Sequence, residues 1–319
     1  MITGTKVGPS SQFNDLLSPL AASTFLTDTM RSLLLAILMA ASALATPTEP
    51  QTPIQQTIGP EHGSLVIVGG NLQSDSIWQR IIVQAGGPSA PIVVVPTAGG
   101  EDEYFQNFSS AASLRQLGAR NVTVLHTYDR ATADTDDFIA PLLAAKGIFF
   151  GGGREWRLVD AYAGTKTEAA FRSVLDRGGV ISGSSAGASI IGSFLARGDT
   201  ANNTLVIGDH TVGFGYLKNS AIDQHVLVRN RHFDMLEITR AHPELLGLAV
   251  DEDTALVVQG DEVEVIGSTY AIVYDGGFWS REGSWDRQLP VSDARFYFLK
   301  SGDRYDLKGR KVIEPITVE

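Results

Sequence analysis

Short apolar runs alternate with amphipathic segments along the chain from Ser64 to about residue 181. The runs predict buried strands over residues 65–68, 91–96, 121–125, 148–150 and 180–181. The segments between them have apolar residues at helical spacing and predict helices over residues 74–85, 101–117, 136–145 and 155–176, the last broken near Gly164. Near-continuous apolar strands joined by helices predict an α/β fold with a mostly parallel central sheet and helices on both faces.

After about Gly208 the pattern changes to alternating apolar and polar residues separated by glycine turns. Strands are predicted over residues 256–258, 263–266 and 270–274, followed by a closing hairpin over residues 295–299 and 305–312. These elements predict a C-terminal antiparallel β extension. The sequence contains no internal repeat and no domain-length linker, so residues 61–319 are predicted to form a single α/β domain that carries the catalytic site.

The first sixty residues have the features of processing and linking segments. Residues 30–45 begin with Met-Arg, continue with an apolar run and end with small residues, which is the order of a secretory signal peptide; the alternative is a buried helix. The apolar run is too short for a stable membrane span. If translation starts at Met30, residues 1–29 are an extension assigned to the protein in error. Residues 46–60 are expected to form a flexible leader. We expect export to the periplasm or the medium, and a cytoplasmic protein if residues 30–45 are not a signal.

The composition of the chain excludes several kinds of chemistry. The chain has 319 residues, a net charge of −11 and 43% hydrophobic residues, which suffices for one large core. The acidic balance argues against nucleic acid and anionic membranes as partners. The absence of cysteine excludes a thiol nucleophile, disulfides and a cysteine metal site.

Three glycine-rich turns follow predicted strands, at residues 69–70, 151–153 and 183–187. The active site of such a fold is expected there, because the carboxyl ends of parallel strands lie at one edge of the sheet. The turn at 69–70 lacks the rest of a dinucleotide-binding pattern, so we expect no nucleotide cofactor.

The third turn contains the candidate nucleophile. Gly183, Ser185 and Gly187 fit the G-x-S-x-G pattern, in which the serine lies on a strained turn between a strand and a helix. The glycines leave room for the neighbouring backbone. The predicted helix continues to Phe194, and the N–H groups of Ala186 and Gly187 at its start would stabilise negative charge near the hydroxyl. The alternative is a Gly/Ser-rich loop that only connects two elements.

A serine nucleophile needs a base and a carboxylate that orients the base. Six histidines are available, and spacing alone does not choose among them. His225 and His232 flank a stretch crowded with Asp, Gln and Arg, which is costly to pack unless these side chains converge on something polar. Residues 251–253 are three adjacent acids before an apolar strand, and a buried one needs a partner. The alternatives are a solvated acidic turn with a charged surface helix, or a metal site from His225, His232 and Asp234.

From about residue 64 to residue 266 the chain resembles the cyanophycinase family of serine peptidases, relatives of the aspartyl dipeptidases. The motifs that carry the resemblance are FFGGG at 149–153, GSSAGA at 183–188, DQH at 223–225 followed by Arg229 and Arg231, and DEDTA at 251–255. The resemblance implies a fold like that of class I glutamine amidotransferases. It implies Ser185 as the nucleophile, His225 as the base and Glu252 as the orienting acid. The oxyanion is then expected to be held by N–H groups of Gly152, Gly153 and Ala186.

The resemblance also implies residues that hold a peptide with a β-aspartyl carboxylate and an arginine side chain: Asp223, Gln224, Arg229 and Arg231. The family's substrate is cyanophycin, a poly-aspartate backbone with arginine on each side chain, and the product is β-aspartyl-arginine. Glu155 stands where family members have a substrate-contacting glutamine, and we expect it to bind substrate as well. Asp234 stands where a third arginine is typical. Both differences make the expected pocket more acidic and leave the substrate open among cyanophycin, a β-aspartyl dipeptide and another acidic peptide.

Two other functions fit parts of the pattern. An α/β-hydrolase esterase or lipase also uses G-x-S-x-G, but that fold orders its residues Ser, acid, His, whereas the candidate acid here follows the histidine. A non-catalytic peptide-binding member of the fold would explain the differences at Glu155 and Asp234. The prediction we carry forward is a serine exopeptidase with a peptide substrate, without cofactor or metal, on a scaffold that permits a homodimer.

Overall fold

The computed structural model describes residues 59–281 and 294–313, and every structural statement below concerns these ranges. They belong to a unit that begins at Ile54. The expected extension at 1–29, the signal peptide at 30–45 and most of the leader at 46–60 lie outside the described residues. No helix within the described ranges is long and apolar enough to cross a membrane.

Nine of the described strands form one sheet: β1 Ser64–Val68, β2 Pro91–Val95, β3 Asn121–Val124, β4 Gly147–Phe150, β5 Val180–Ser184, β9 Thr254–Gln259, β10 Glu262–Gly267, β13 Arg304–Asp306 and β14 Lys311–Ile313. Their order is β14-β13-β10-β9-β1-β5-β4-β2-β3. The half from β1 to β3 is parallel, and the half from β9 to β14 is antiparallel. The predicted parallel strands are therefore confirmed, and the antiparallel strands predicted over residues 256–258 and 263–266 extend the same sheet.

Five further described strands form a second sheet: β6 Gly192–Phe194, β7 Leu217–Gln224, β8 Leu246–Val250, β11 Tyr270–Tyr274 and β12 Tyr297–Lys300. Their order is β12-β11-β8-β7-β6, with β6, β7 and β8 parallel. The sequence pattern predicts none of these three parallel strands. The reason is clearest in β7, whose polar residues, ending in Asp223 and Gln224, interrupt the apolar run.

The described helices are α1 Asp75–Gln84, α2 Ser109–Gln116, α3 Arg130–Ala133, α4 Asp136–Ala144, α5 Glu155–Tyr162, α6 Lys166–Asp176, α7 Ala186–Ser189 and α8 Met235–Ala241. Helices α1 and α2 cover one face of the first sheet and α3 to α6 the other, whereas α8 packs on the second sheet. In β1, Leu65 and Ile67 belong to the core cluster that includes α5 and α6, whereas Val66 and Val68 belong to the cluster of α1 and α2. All four side chains are fully buried, which explains the continuous apolar run. The predicted break near Gly164 is confirmed between α5 and α6.

Two predicted helices are shorter than expected. Of the helix predicted over residues 101–117, only α2 forms. The side chain of Gln106 exchanges two hydrogen bonds with the backbone of Val124, at 2.9 and 3.0 Å, and this holds the segment before α2 against the edge strand β3. The helix predicted after the 183–187 turn ends with α7, because Gly192 starts β6 and pairs with β7.

The predicted closing hairpin over residues 295–299 and 305–312 is wrong, because its two arms lie in different sheets. Strand β12 pairs with β11, whereas β13 pairs with β10 and β14. The carboxylate of Asp275 accepts hydrogen bonds from the hydroxyl groups of Tyr297 and Tyr305, at 2.6 and 2.9 Å. These two bonds join the arms across the sheets, a long-range contact that hydrophobic periodicity does not reveal.

Candidate active site

Ser185 lies on the turn between β5 and α7, at the carboxyl edge of the parallel strands. Its backbone angles are φ 59° and ψ −119°, a conformation that costs about 1–3 kcal/mol for a residue with a side chain. A Cβ on Gly183 would lie 2.0 Å from the carbonyl oxygen of Gly187, and a Cβ on Gly187 would lie 2.1 Å from that of Phe150. Close approach of the backbone therefore requires both glycines of the turn.

His225 directly follows β7 and faces Ser185. Its φ of 54° is also left-handed, and its N–H donates to the carbonyl oxygen of Gly69 at 2.8 Å. The imidazole packs on Gly70, where a Cβ would lie 2.2 Å from the ring carbon Cε1. The first glycine-rich turn therefore makes room for the histidine ring and fixes its backbone.

Three side chains from three segments form a continuous hydrogen-bonded chain. The Oγ of Ser185 lies 2.9 Å from Nε2 of His225, and Nδ1 of His225 lies 2.6 Å from Oε1 of Glu252. Because an ionised carboxylate can only accept, Nδ1 carries the proton and Nε2 accepts from the serine hydroxyl. The second oxygen of Glu252 accepts from the Asn71 amide at 2.8 Å. The fold thus brings together the three residues that the family resemblance implies as nucleophile, base and orienting acid.

The surroundings of this chain favour a neutral imidazole beside an ionised carboxylate. Burial has the largest effect on the pKa of His225 and lowers it. The hydrogen bond to Glu252 raises this pKa and the charge of Arg229 lowers it, so the pKa of His225 lies below its ordinary value. Burial raises the pKa of Glu252, but hydrogen bonds from His225 and Asn71 outweigh burial, so this pKa is lowered. A neutral histidine at neutral pH is the form that can accept a proton as a general base.

The three adjacent acids at residues 251–253 hold three separate parts of the site. Asp251 is buried and accepts from two backbone N–H groups of the loop after His225, at 2.9 and 3.1 Å. Glu252 accepts a hydrogen bond from Nδ1 of His225 at 2.6 Å. Asp253 accepts from two backbone N–H groups before α1 and from the Ser74 hydroxyl at 2.6 Å. Each acid therefore has its own donors, which offsets the repulsion expected among neighbouring carboxylates.

The candidate oxyanion donors lie on two turns next to Ser185. Ala186 is the first residue of α7, where a helix N–H has no intrahelical acceptor. Gly152 lies against Ser185, since a Cβ on Gly152 would be 3.2 Å from Cβ of Ser185. At Gly153, φ is 142° and a Cβ would lie 1.9 Å from the carbonyl oxygen of Ala98. Within the described residues, the N–H groups of both glycines make no hydrogen bond, so the turn has main-chain donors to offer.

Three of the residues expected to bind substrate form a buried row that adjoins His225. The amide nitrogen of Gln224 donates to Glu155 at 3.1 Å, and the amide oxygen of Gln224 accepts from Arg231 at 3.3 Å. All three residues are buried. Arg229, by contrast, is exposed, and its side chain makes no hydrogen bond or ion pair with any described residue. Among the residues expected to bind substrate, Arg229 therefore provides the positive charge that a carboxylate can reach from solvent.

Asp223 is enclosed by Arg197. The guanidinium donates to both carboxylate oxygens of Asp223, at 2.7 and 2.8 Å, and also to Asp234 at 2.6 Å. The side chains of Arg197 and Asp223 are 2% and 0% exposed. Sequence reasoning missed Arg197, because nothing in its spacing links it to residues 223 and 234. The one sequence signal for this cation is Asp234, because two acids in one short polar stretch, Asp223 and Asp234, need a positive partner if they are buried.

Glu155 is a buried carboxyl group with one unsatisfied oxygen. It is 1% exposed, and its Oε2 has no hydrogen-bond partner among the described residues. Burial raises the pKa of Glu155 to about 7, against smaller lowering effects that include the charge of Arg154. The group is therefore partly protonated at neutral pH.

Glu155→Gln is expected to stabilise the fold at about pH 8 by up to about 3 kcal/mol. The carboxyl has an ordinary pKa of 4.5 and a folded-state pKa of about 7, so the folded state binds the proton more tightly and loses stability as pH rises through this window. The amide resembles the protonated carboxyl and does not titrate. Urea unfolding at about pH 5 and about pH 8 measures the difference. Glu237→Gln, at an exposed position of α8, is the control, and equal pH dependence in all three proteins would contradict the prediction.

The residues considered for a metal site are engaged elsewhere. His225 contacts Ser185 and Glu252, Asp234 contacts Arg197, and the ring of His232 packs on Phe233 with centroids 4.4 Å apart. Within residues 59–281 and 294–313, no three His, Asp or Glu side chains are grouped so that they could hold a metal ion.

Similarity to a solved structure supports the fold. A peptidase from an acI-B1 Actinobacterium, known from a crystal structure, matches with a TM-score of 0.59 at 21% identity. The match covers 79% of this chain and 98% of that chain. At this level of identity the likeness shows a shared mixed α/β fold.

Similarity in sequence identifies the family. The cyanophycinase of Geminocystis herdmanii is 32% identical over 263 residues, which cover 77% of this chain and 94% of that protein. The cyanophycinase of Trichormus variabilis is 28% identical over 272 residues, which cover 79% of this chain and 88% of that protein. The model of peptidase family S51 matches residues 65–266, a range that includes Ser185, His225 and Glu252. The chain therefore belongs to peptidase family S51 and is a serine-type peptidase.

Proposed function

We propose that the protein hydrolyses cyanophycin or related β-aspartyl peptides by a Ser-His-Glu mechanism. The observation that carries the proposal is the pair of hydrogen bonds, 2.9 and 2.6 Å long, that joins Ser185 to His225 and His225 to Glu252. Such a chain couples a serine hydroxyl to a base whose tautomer is fixed. The order Ser, His, acid along the chain differs from that of α/β-hydrolase esterases.

In the proposed reaction, Oγ of Ser185 attacks the scissile carbonyl carbon while Nε2 of His225 takes the hydroxyl proton. Glu252 stabilises the imidazolium, and N–H groups of Ala186 and of the turn at 152–153 stabilise the oxyanion. When the tetrahedral intermediate collapses, the C–N bond breaks and the imidazolium protonates the leaving amine. Water deprotonated by His225 then hydrolyses the acyl-enzyme ester, which releases the acid product and restores the serine hydroxyl.

The charges near the site support an acidic peptide as substrate. Arg229 is exposed, and a guanidinium binds a carboxylate through two parallel hydrogen bonds. Arg231 adds a second positive charge from the buried row. Asp223 and Asp234 are already paired with Arg197, so they offset less of this positive charge than the sequence suggests. The relatives named cyanophycinase support cyanophycin as the polymer, and β-aspartyl-arginine is then the product.

Incubation with purified cyanophycin tests the proposal. We expect mass spectrometry to detect soluble β-aspartyl-arginine with the unmodified protein and none with Ser185→Ala. Hydrolysis of nitrophenyl esters without hydrolysis of any β-aspartyl peptide would contradict the proposal in favour of an esterase. Tight binding of an arginine-containing peptide without cleavage would contradict it in favour of a non-catalytic binding protein.

Three further expectations, which concern location, assembly and fold, belong to the same proposal. They are export directed by residues 30–45, a homodimer, and an architecture like that of class I glutamine amidotransferases. The last is supported by a nucleophile turn at the carboxyl edge of a parallel half-sheet. N-terminal sequencing of protein recovered outside the cytoplasm tests export, and sedimentation equilibrium tests the dimer.

A further inference from the structure

A cavity of about 770 Å³ lies beside the nucleophile, between α1 and α2. Ser185, His225 and Gly152 contribute to its lining, so a molecule in the cavity reaches the reacting atoms. Part of its wall is aromatic, with the rings of Trp78 and Phe149 centred 4.9 Å apart. The volume is in the range of about 300–1,000 Å³ that is typical of ligand pockets.

The cavity and the buried row of Glu155, Gln224 and Arg231 are separate places near Ser185. Trp78 and Phe149 belong to the core cluster of α1 and α2, whereas α5, which begins with Glu155, packs in the cluster on the opposite face of the first sheet. None of the three residues of the row lines the cavity. A peptide bound at Ser185 can therefore contact the cavity without contacting the row.

The polar groups of the cavity wall are mostly neutral. Apart from Ser184, Ser185 and His225, they are the hydroxyl groups and amides of Asn71, Gln73, Ser109, Ser110, Ser113 and Gln116. In the described part of the chain, Asp75 is the one carboxylate of the lining, and no Lys or Arg side chain contributes to it. Among the described residues, the wall offers a carboxylate no Lys or Arg side chain with which to form a charge-assisted hydrogen bond. A peptide amide or a guanidinium would find acceptors.

We propose that this cavity is a second substrate subsite, which selects peptide segments with basic or uncharged side chains over segments with acidic ones. The inference rests on the proposed peptidase function and adds a charge preference on the side of the scissile bond that faces α1 and α2. Asp75, at the start of α1, is the specificity residue, because it is the formal charge that a substrate cation would face. Arg229 does not line the cavity, so the carboxylate that it favours binds elsewhere at the site.

Blocked tetrapeptides with one β-aspartyl bond test the charge preference. Two series are made. In one, the varied residue (Arg, Gln or Glu) precedes the scissile bond, and in the other it follows the scissile bond. We expect kcat/KM in one series to be about tenfold or more higher for Arg than for Glu, and Asp75→Asn to lower that ratio severalfold. Equal kcat/KM for Arg and Glu in both series would overturn the inference while leaving the peptidase activity in place.

Ser113→Trp tests the location of the subsite, and Ser76→Trp is its matched control. Ser113 is half-buried on the cavity side of α2, whereas Ser76 is exposed on α1 outside the cavity. We expect Ser113→Trp to raise KM for the Arg tetrapeptide by about tenfold relative to KM for a β-aspartyl dipeptide. Ser76→Trp should leave this ratio unchanged. Equal ratios in the two variants would overturn the inference.

Binding to an inactive protein separates failure of the subsite from failure of the proposed function. The Ser185→Ala protein, with and without Ser113→Trp, is titrated calorimetrically with the Arg tetrapeptide. Binding that is weakened by Ser113→Trp supports the subsite even if the unmodified protein hydrolyses no peptide. Absence of binding, or binding that Ser113→Trp leaves unchanged, overturns it.

Discussion

Ser185→Ala is expected to lower kcat for peptide hydrolysis by about 10⁶-fold while the protein remains folded. Without the hydroxyl, no acyl-enzyme can form, and the remaining rate comes only from substrate binding and the oxyanion donors. Alanine, like serine, has a Cβ and is strained at a φ of 59°, so the backbone strain of the turn is similar in both proteins. Single-turnover rates measure the chemistry, and urea unfolding measures the fold.

Ser189→Ala is the matched control for this prediction. Ser189 lies in α7, four positions after the nucleophile, and its hydroxyl is buried without a hydrogen-bond partner among the described residues. Its removal should leave kcat unchanged. A Ser185→Ala rate within about a hundredfold of the unmodified protein would contradict the role of Ser185 as nucleophile.

Arg197→Met is expected to lower the free energy of unfolding by about 3–5 kcal/mol. The guanidinium makes two hydrogen bonds to Asp223 in a fully buried site, at 2.7 and 2.8 Å, and one to Asp234. Removing it leaves a buried carboxylate without its counter-charge, which costs more than losing the ion pair itself. Urea unfolding at neutral pH measures the loss.

Two further variants show whether the buried charge causes the effect. Arg197→Met combined with Asp223→Asn should recover most of the lost stability, because the carboxylate that still lacks its partner, Asp234, is 35% exposed and water can solvate it. Arg80→Met breaks a partly exposed ion pair with Glu264 and should cost less than about 1 kcal/mol. If Arg197→Met costs no more than Arg80→Met, the interpretation of Arg197 as the buried counter-ion is wrong.

The nucleophile turn could be predicted from sequence because its constraints are local. The close approaches that require Gly183 and Gly187 involve the turn itself and the adjacent strand β4. The base and the acid could not be chosen by spacing, because residues 225 and 252 meet Ser185 only through strand pairing. Strand β9 runs antiparallel to β1, which brings the acid to the carboxyl edge of β1, and that pairing is not visible in the sequence. The resemblance to a known family supplied these two residues.

The charges around the site show a similar limit. Asp223 and Asp234 look like free acids in the sequence, yet both are bound by Arg197, which is 26 and 37 positions away along the chain. A pairing over such distances has no periodic signal. The strands and helices whose sequences have a clear hydrophobic period were predicted more accurately. Two of the errors fall where a polar side chain bonds a group that is distant along the chain: Gln106 bonds the backbone of Val124, and Asp275 bonds the hydroxyl groups of Tyr297 and Tyr305.

The acid triplet at 251–253 constrains how this enzyme can acquire new substrates. Asp253 anchors the segment that leads into α1, which forms one wall of the cavity, while Glu252 next to it is hydrogen-bonded to the imidazole of His225. A mutation that moves α1 to admit a different side chain therefore disturbs the histidine at the same time. Among the described residues, none of the three acids hydrogen-bonds to α2, the opposite wall. Adaptation to new peptides, in nature or in a laboratory library, is thus least harmful to turnover when it proceeds through α2.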